Sequence, residues 1–230
     1  MANATTMKTQ SEVRINRFLA LTYMIMALGM VVTALVATQV SNNEALIKRI
    51  MFDPWFAFGL FIIQIVIVTA LSAAVMRLSP AVAFLLFLFY SGLTGLTISG
   101  IFIFYTQSVI SHTFWVAAGM FFLTSIVGLV IKRDLSGLGL FLLMMLMGWI
   151  FSGFFIWLFP FSQGLNQAYN FTGILLFSAL TTWDTQRLKE LAKQMEGRQG
   201  MGGLIVLGAL SLYLDFINLF LLLLRTSRRR

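Results

Sequence analysis

The 230-residue chain has no cysteine. That excludes disulfides, thiolate nucleophiles, iron–sulfur clusters and thiolate zinc sites together. Its single histidine, His112, leaves too few imidazoles for histidine-based metal or triad chemistry. Charge is scarce as well: 10% of residues are charged, against about 25% in an average soluble domain. Hydrophobic residues make up 59% of the chain and mean hydropathy is +0.91. Disordered chains are poor in hydrophobes, so disorder is out. A soluble core of this size cannot hide so much apolar surface either. The longest polar stretch is Arg187–Gly202, too short for a soluble domain. The chain is read as an all-α integral membrane protein and not as an enzyme.

Roughly 20 apolar residues cross a bilayer as a helix. Seven segments qualify: 18–40, 55–76, 80–104, 108–131, 135–159, 167–186 and 203–224. They predict a tail over 1–17, a seven-helix transmembrane domain over 18–224 and a short basic tail over 225–230. The first run exceeds the roughly 7–15 residues of a signal-peptide core and is taken as a mature helix. Net charge is +8, with the basic residues between and beyond the apolar runs. Membrane lipids are the expected partner of such charges. No basic stripe interleaved with stacking aromatics points to nucleic acid.

Basic residues in short loops set orientation. A cytoplasmic N terminus puts Lys8, Arg14, Arg17, Arg77, Lys132, Arg133, Arg187, Lys189, Lys193 and Arg198 inside, and only Lys48 and Arg49 in the first outer loop. Arg225 and Arg228–Arg230 then lie outside if the last segment spans, and inside if it re-enters. Its length favours the span; the charge rule favours re-entry. Ser91, Gly95 and Ser99, four apart, give the third span a small-residue face for close helix packing.

An Asp at mid-membrane costs about 2.5–3.5 kcal/mol on insertion scales, so each one demands a role. Asp215 lies in the middle of the last span, on a polar stripe with Gly208, Ser211 and Asn218 at helical spacing. No basic residue lies within a turn of it. Asp184 lies toward the end of the sixth span, where pairing with Arg187 three residues on is the plain alternative. The Gly-rich run Gly197–Gly203 reads as the turn between the two helices. Asp184 is 16 residues before Gly200 and Asp215 is 15 after it. At 1.5 Å per residue, both carboxylates sit roughly 22–24 Å from the turn, provided that helix continues through Arg187–Glu196. Facing carboxylates in a low dielectric cannot both ionise cheaply and share a proton. Such a pair suits a pH sensor or a cation site. It also resembles an acid–base dyad, but no Gly-Asp nucleophile loop accompanies either residue. Arg77, before Pro80, is either a snorkelling interfacial anchor or a counter-charge to the pair. His112, near the outer end of the fourth span, is assigned nothing.

Several motifs resemble the Bax inhibitor-1 family. Tyr213-Leu214-Asp215-Phe216-Ile217-Asn218-Leu219-Phe220, between Ala209-Leu210-Ser211-Leu212 and Leu224-Arg225, looks like its terminal signature. Tyr90-Ser91-Gly92-Leu93-Thr94-Gly95-Leu96-Thr97 resembles its third-helix motif. Lys132-Arg133-Asp134-Leu135-Ser136 resembles the loop before its fifth helix, and Trp183-Asp184-Thr185-Gln186 its sixth-helix acid. The matches run in order through residues 77–225 and are most similar to bacterial inner-membrane members. The resemblance implies seven helices with the last one central and the other six around it. It implies a pH-sensitive calcium leak sensed by Asp184 and Asp215; as hard oxygen ligands, these two carboxylates would by themselves make only a weak, partial Ca²⁺ site. It further implies an arginine latch on that pair, matched here by Met76-Arg77, although Leu78-Ser79-Pro80 departs from the family's more basic run.

Three functions are weighed. A cation leak would use Asp184 and Asp215 as gate, with Ser211 and Asn218 lining it, Ca²⁺ and protons as its ions, and no cofactor. A regulator of a membrane protease would act through its polar hairpin and N-terminal tail. A proton-coupled transporter would use the two acids and Arg77 as a minimal relay.

Overall fold

A computed structural model describes residues 2–74, 77–131, 133, 135–159, 162–194 and 201–227, the side chains of 2–11, 136 and 157 excepted. Helices account for its regular structure, and no strand occurs among the described residues. In chain order they are α1 (Ala2–Ser41), α2 (Glu44–Phe52), α3 (Pro54–Ala74), α4 (Pro80–Ile98), α5 (Ile101–Phe104), α6 (Gln107–Val130), α7 (Ser136–Leu158), α8 (Gln163–Gln194) and α9 (Met201–Thr226). Lipid offers no hydrogen bonds to backbone groups, so apolar runs satisfy them internally as helices. Among the described residues, six segments are long and apolar enough to cross a bilayer: Glu12–Ser41, Pro54–Ala74, Pro80–Phe104, Gln107–Val130, Gly137–Ile156 and Met201–Thr226. The protein is therefore a multi-pass membrane protein. The helix expected over 167–186 forms within α8, whose 32 residues add polar turns at both ends to an apolar middle.

Several boundaries differ from the expected ones for local reasons. α1 starts well before the apolar run, because no proline or glycine interrupts the chain until Gly29. The first loop contains the amphipathic helix α2, capped by Asn43, whose side chain accepts from the Leu46 N–H at 3.1 Å. Asp53 then caps α3 by accepting from the Trp55 and Phe56 N–H groups, each at 3.1 Å. The third span breaks into α4 and α5 at Ser99-Gly100, where the Ser99 hydroxyl donates to the Leu96 carbonyl at 2.7 Å.

Two compact units divide the chain: Met1–Tyr105 with Leu191–Tyr213, and Thr106–Glu190 with Leu214–Arg230. In the first, α1 and α4 pack backbone to backbone. A Cβ at Gly95 would lie 2.5 Å from the Thr33 carbonyl oxygen and 2.9 Å from Val36 Cβ. Glycine is required there by close approach. Ser91 and Ser99, on the same small-residue face, are fully buried. The Thr33 hydroxyl lies 2.9 Å from the carbonyls of both Gly29 and Ser91, and 2.6 Å from the Tyr213 hydroxyl. Phe87 and Tyr90 meet the Tyr213 ring edge-on, with centroids 5.5 and 6.0 Å away.

In the second unit α6, α7, α8 and the end of α9 meet through small and aromatic residues. Gly128 of α6 lies against the Thr182 carbonyl, and Gly139 of α7 against the Trp183 ring. Trp149 stacks on Tyr169 at 4.5 Å and 8° and donates from Nε1 to the Tyr169 carbonyl at 3.1 Å. Phe216 of α9 meets Phe114 and Phe121 of α6 edge-on.

Candidate functional site

The second unit holds both acids. Helix α8 continues unbroken from its apolar middle to Gln194, and the last two residues of the continuation expected through Glu196 lie outside the described residues. Asp184 is 6% exposed and Asp215 5%. The Asp215 carboxyl lies within hydrogen-bonding reach of the Asp184 carboxyl and of the Thr181 hydroxyl. That hydroxyl donates to Phe177 O of its own helix at 2.8 Å. Asp215 Oδ2 is buried without a hydrogen-bond partner, as is Ser125 Oγ of α6. A buried oxygen left unpaired costs about 1–3 kcal/mol.

Two residues beyond Asp184, Gln186 ties α8 to the connection between α6 and α7. Its Nε2 donates to the carbonyls of Ile131 and Arg133 at 3.1 and 2.8 Å, and its Oε1 accepts from the Leu135 N–H at 3.0 Å. One side chain thus satisfies three backbone groups of the connection between α6 and α7. Lys189 Nζ donates to the Leu129 carbonyl at 2.6 Å, a cation at the C-terminal end of α6. The Thr182 hydroxyl reaches Thr124 O at 3.2 Å. These contacts set the rotation of α8, and with it the direction of Asp184.

The remaining sequence-derived residues are distributed differently. Arg187 is exposed, with its guanidinium over the Trp183 ring at 5.1 Å. Asn218, one turn beyond Asp215, donates to its own helix at Leu214 O, 2.8 Å away. Ser211 and Arg77 belong to the other unit. Ser211 is half-buried on α9, and Arg77 is exposed in the turn after α3. His112 is exposed near the start of α6. Met76, Lys132, Asp134, residues 195–200 with most of the Gly-rich turn, and Arg228–Arg230 lie outside the described residues. Thr181 and Gln186 did not emerge from the sequence as site residues. Thr181 carried a signal, since it lies three residues before Asp184 on the same helical face.

Among the described residues no three His, Cys, Asp or Glu side chains gather into a metal site.

A multi-pass α-helical membrane protein with two buried, mutually facing carboxylates is the class that fold and site define. Within that class, the chain belongs to the family described as Inhibitor of apoptosis-promoting Bax1, the Bax inhibitor-1 family, which matches residues 15–229. It is 42% identical over 224 residues to Inner membrane protein YbhL of Escherichia coli (strain K12), covering 96% of this chain and 95% of that one. A protein of Deinococcus radiodurans is 40% identical over 227 residues, 98% of this chain and 95% of its own. A membrane protein of Streptococcus pyogenes serotype M1 is 36% identical over 223 residues, 96% of each chain.

Proposed function

We propose that this chain is a pH-sensitive calcium leak of a bacterial inner membrane, with Asp184 and Asp215 as its gate and sensor. The observation that carries the reading is the buried pair itself, with one Asp215 oxygen left unpartnered. Intramembrane acids are costly and mark ion or proton pathways. The inner-membrane relative supports the location.

In this reading seven helices cross the bilayer, α8 included, with α9 central and the N terminus cytoplasmic. The burial of α9 supports its place: 61% of its most apolar stretch is buried, against 11–33% in the other spans. Arg77 acts as a latch on the pair, and Ser211 and Asn218 extend the polar lining along α9. Calcium is the cargo. Two carboxylates supply a fraction of the six to eight oxygens that a calcium ion prefers, so the ion is held weakly and released readily.

Gating follows from protonation. With a proton shared between the acids, their hydrogen bond joins α8 to α9, and the remaining negative charge attracts Arg77. Acid neutralises that charge and loosens the closed state, while protonated carboxyls also become poorer calcium ligands. The two effects oppose each other and produce a composite pH profile.

Calcium flux into liposomes containing only the purified protein tests the reading, from about pH 5 to pH 8. Flux whose pH profile flattens in Asp215→Asn supports it. Folded protein without flux at any pH would instead leave the chain as an interaction partner, with a membrane protease as the first candidate.

A further inference from the structure

The second unit contains a cavity of about 1080 Å³, far along α8 from Asp184. Its walls come from the second half of α7, the first turns of α8 and the end of α9. Tyr169 in its wall is 15 residues before Asp184 on α8, roughly 22 Å at 1.5 Å per residue. Gln163, Asn166, Gln167 and Asn170 line it at helical spacing, so one face of α8 is an amide stripe. Among the described lining residues, Arg225 is the cation and none is a carboxylate. The stacked Trp149–Tyr169 pair forms a flat apolar side beside these donors.

We propose that this cavity binds a phosphate-bearing anion, with Arg225 as its charge partner and the α8 amides as further donors. A guanidinium presents a planar fork of N–H donors that matches phosphate oxygens in pairs. The amides add donors without adding a competing negative charge. Asn166 already donates to Ser162 O at 3.3 Å, which leaves Gln163, Gln167 and Asn170 as the adaptable members. The wall is amphipathic in the way a headgroup site must be, combining polar donors with an aromatic plate. Basic pockets between membrane helices take anionic headgroups by this chemistry. The same chemistry accepts a free phosphate. The site is independent of the calcium reading and stands or falls without it.

The test uses the full-length protein, delipidated in detergent, with two probes. Native mass spectrometry counts phosphatidylglycerol retained after the lipid is added back, and phosphorus NMR line broadening reports inorganic phosphate. A bound anion held by Arg225 is expected to weaken about tenfold in Arg225→Gln, a change of ~1.4 kcal/mol. Arg225→Lys should recover part of it, and Gln167→Leu should weaken binding without altering charge. Circular dichroism melts confirm that each variant is folded. Phosphatidylglycerol retention that falls in both Arg225→Gln and Gln167→Leu, with phosphate inert, identifies a lipid headgroup. Phosphate broadening lost in the same variants identifies the free anion. Retention unchanged in both variants, or binding of neither probe by the folded wild type, overturns the site.

Discussion

The hydroxyls of Tyr213 and Thr33 lie 2.6 Å apart although 180 residues separate them in the chain. The Thr33 hydroxyl has one hydrogen, which it gives to the Gly29 or Ser91 carbonyl, so Tyr213 is the donor between the two. Tyr213 is fully buried, two residues before Asp215 on the same helix. Tyr213→Phe removes the donor and leaves the ring contacts with Phe87 and Tyr90 in place. The expected cost is about 0.5–1.5 kcal/mol, the net worth of one neutral hydrogen bond. Thr33→Val should then cost much less in the Tyr213→Phe background than in the wild type, and a double-mutant cycle on thermal unfolding measures the difference.

Glycine at 95 answers to a different force. A Cβ there meets backbone, which cannot swing aside as a side chain can. Gly95→Ala should lose about 1–3 kcal/mol, the usual cost of overpacking. Gly92 on the same helix has open space around it, and Gly92→Ala should leave the unfolding temperature unchanged or slightly raise it. Equal melting of the two variants would remove the close-packing argument for α1 and α4.

Gln186 permits a test of its three-way clamp. Gln186→Ala strands the carbonyls of Ile131 and Arg133 and the N–H of Leu135, each worth on the order of 1–3 kcal/mol where water cannot replace the partner. Gln186→Glu keeps the acceptor and loses both donors. Amide exchange at Leu135 is therefore expected to accelerate strongly in the alanine variant and little in the glutamate variant. Parallel acceleration in both would mean that the Leu135 bond contributes nothing by itself.

For the acid pair, Asp215→Asn retains shape and removes the titrating group. Its calcium flux should lose most of its pH dependence between about pH 5 and pH 8, whatever its absolute size. A profile identical to the wild type apart from amplitude would take the sensor away from the pair. Cysteines placed at both 184 and 215 should cross-link, because those positions face each other across α8 and α9.

Arg77 is tested by Arg77→Ala. A latch predicts a raised resting flux or a displaced pH profile, since the closed state loses its counter-charge. Flux unchanged at every pH returns Arg77 to an exposed anchor at the end of α3.

Membrane residence and the positions of the helices were legible in the sequence, because crossing a bilayer depends on the length and hydropathy of a single run. Asp215 stood out for the same reason: an acid inside such a run is costly wherever its neighbours lie. Counting from the Gly-rich turn also placed Asp184 and Asp215 at matching heights, since rise per residue is constant along a helix. Height says nothing about rotation. That Asp184 faces Asp215 was decided by contacts around α8, from Gly128 against Thr182 to the Gln186 clamp, whose partners are remote in sequence. Thr181 entered the site for the same tertiary reason, and the Tyr213–Thr33 bond in the other unit is likewise a product of packing. Local chemistry fixes which residues cannot remain alone in lipid; helix packing decides which partner each one finds.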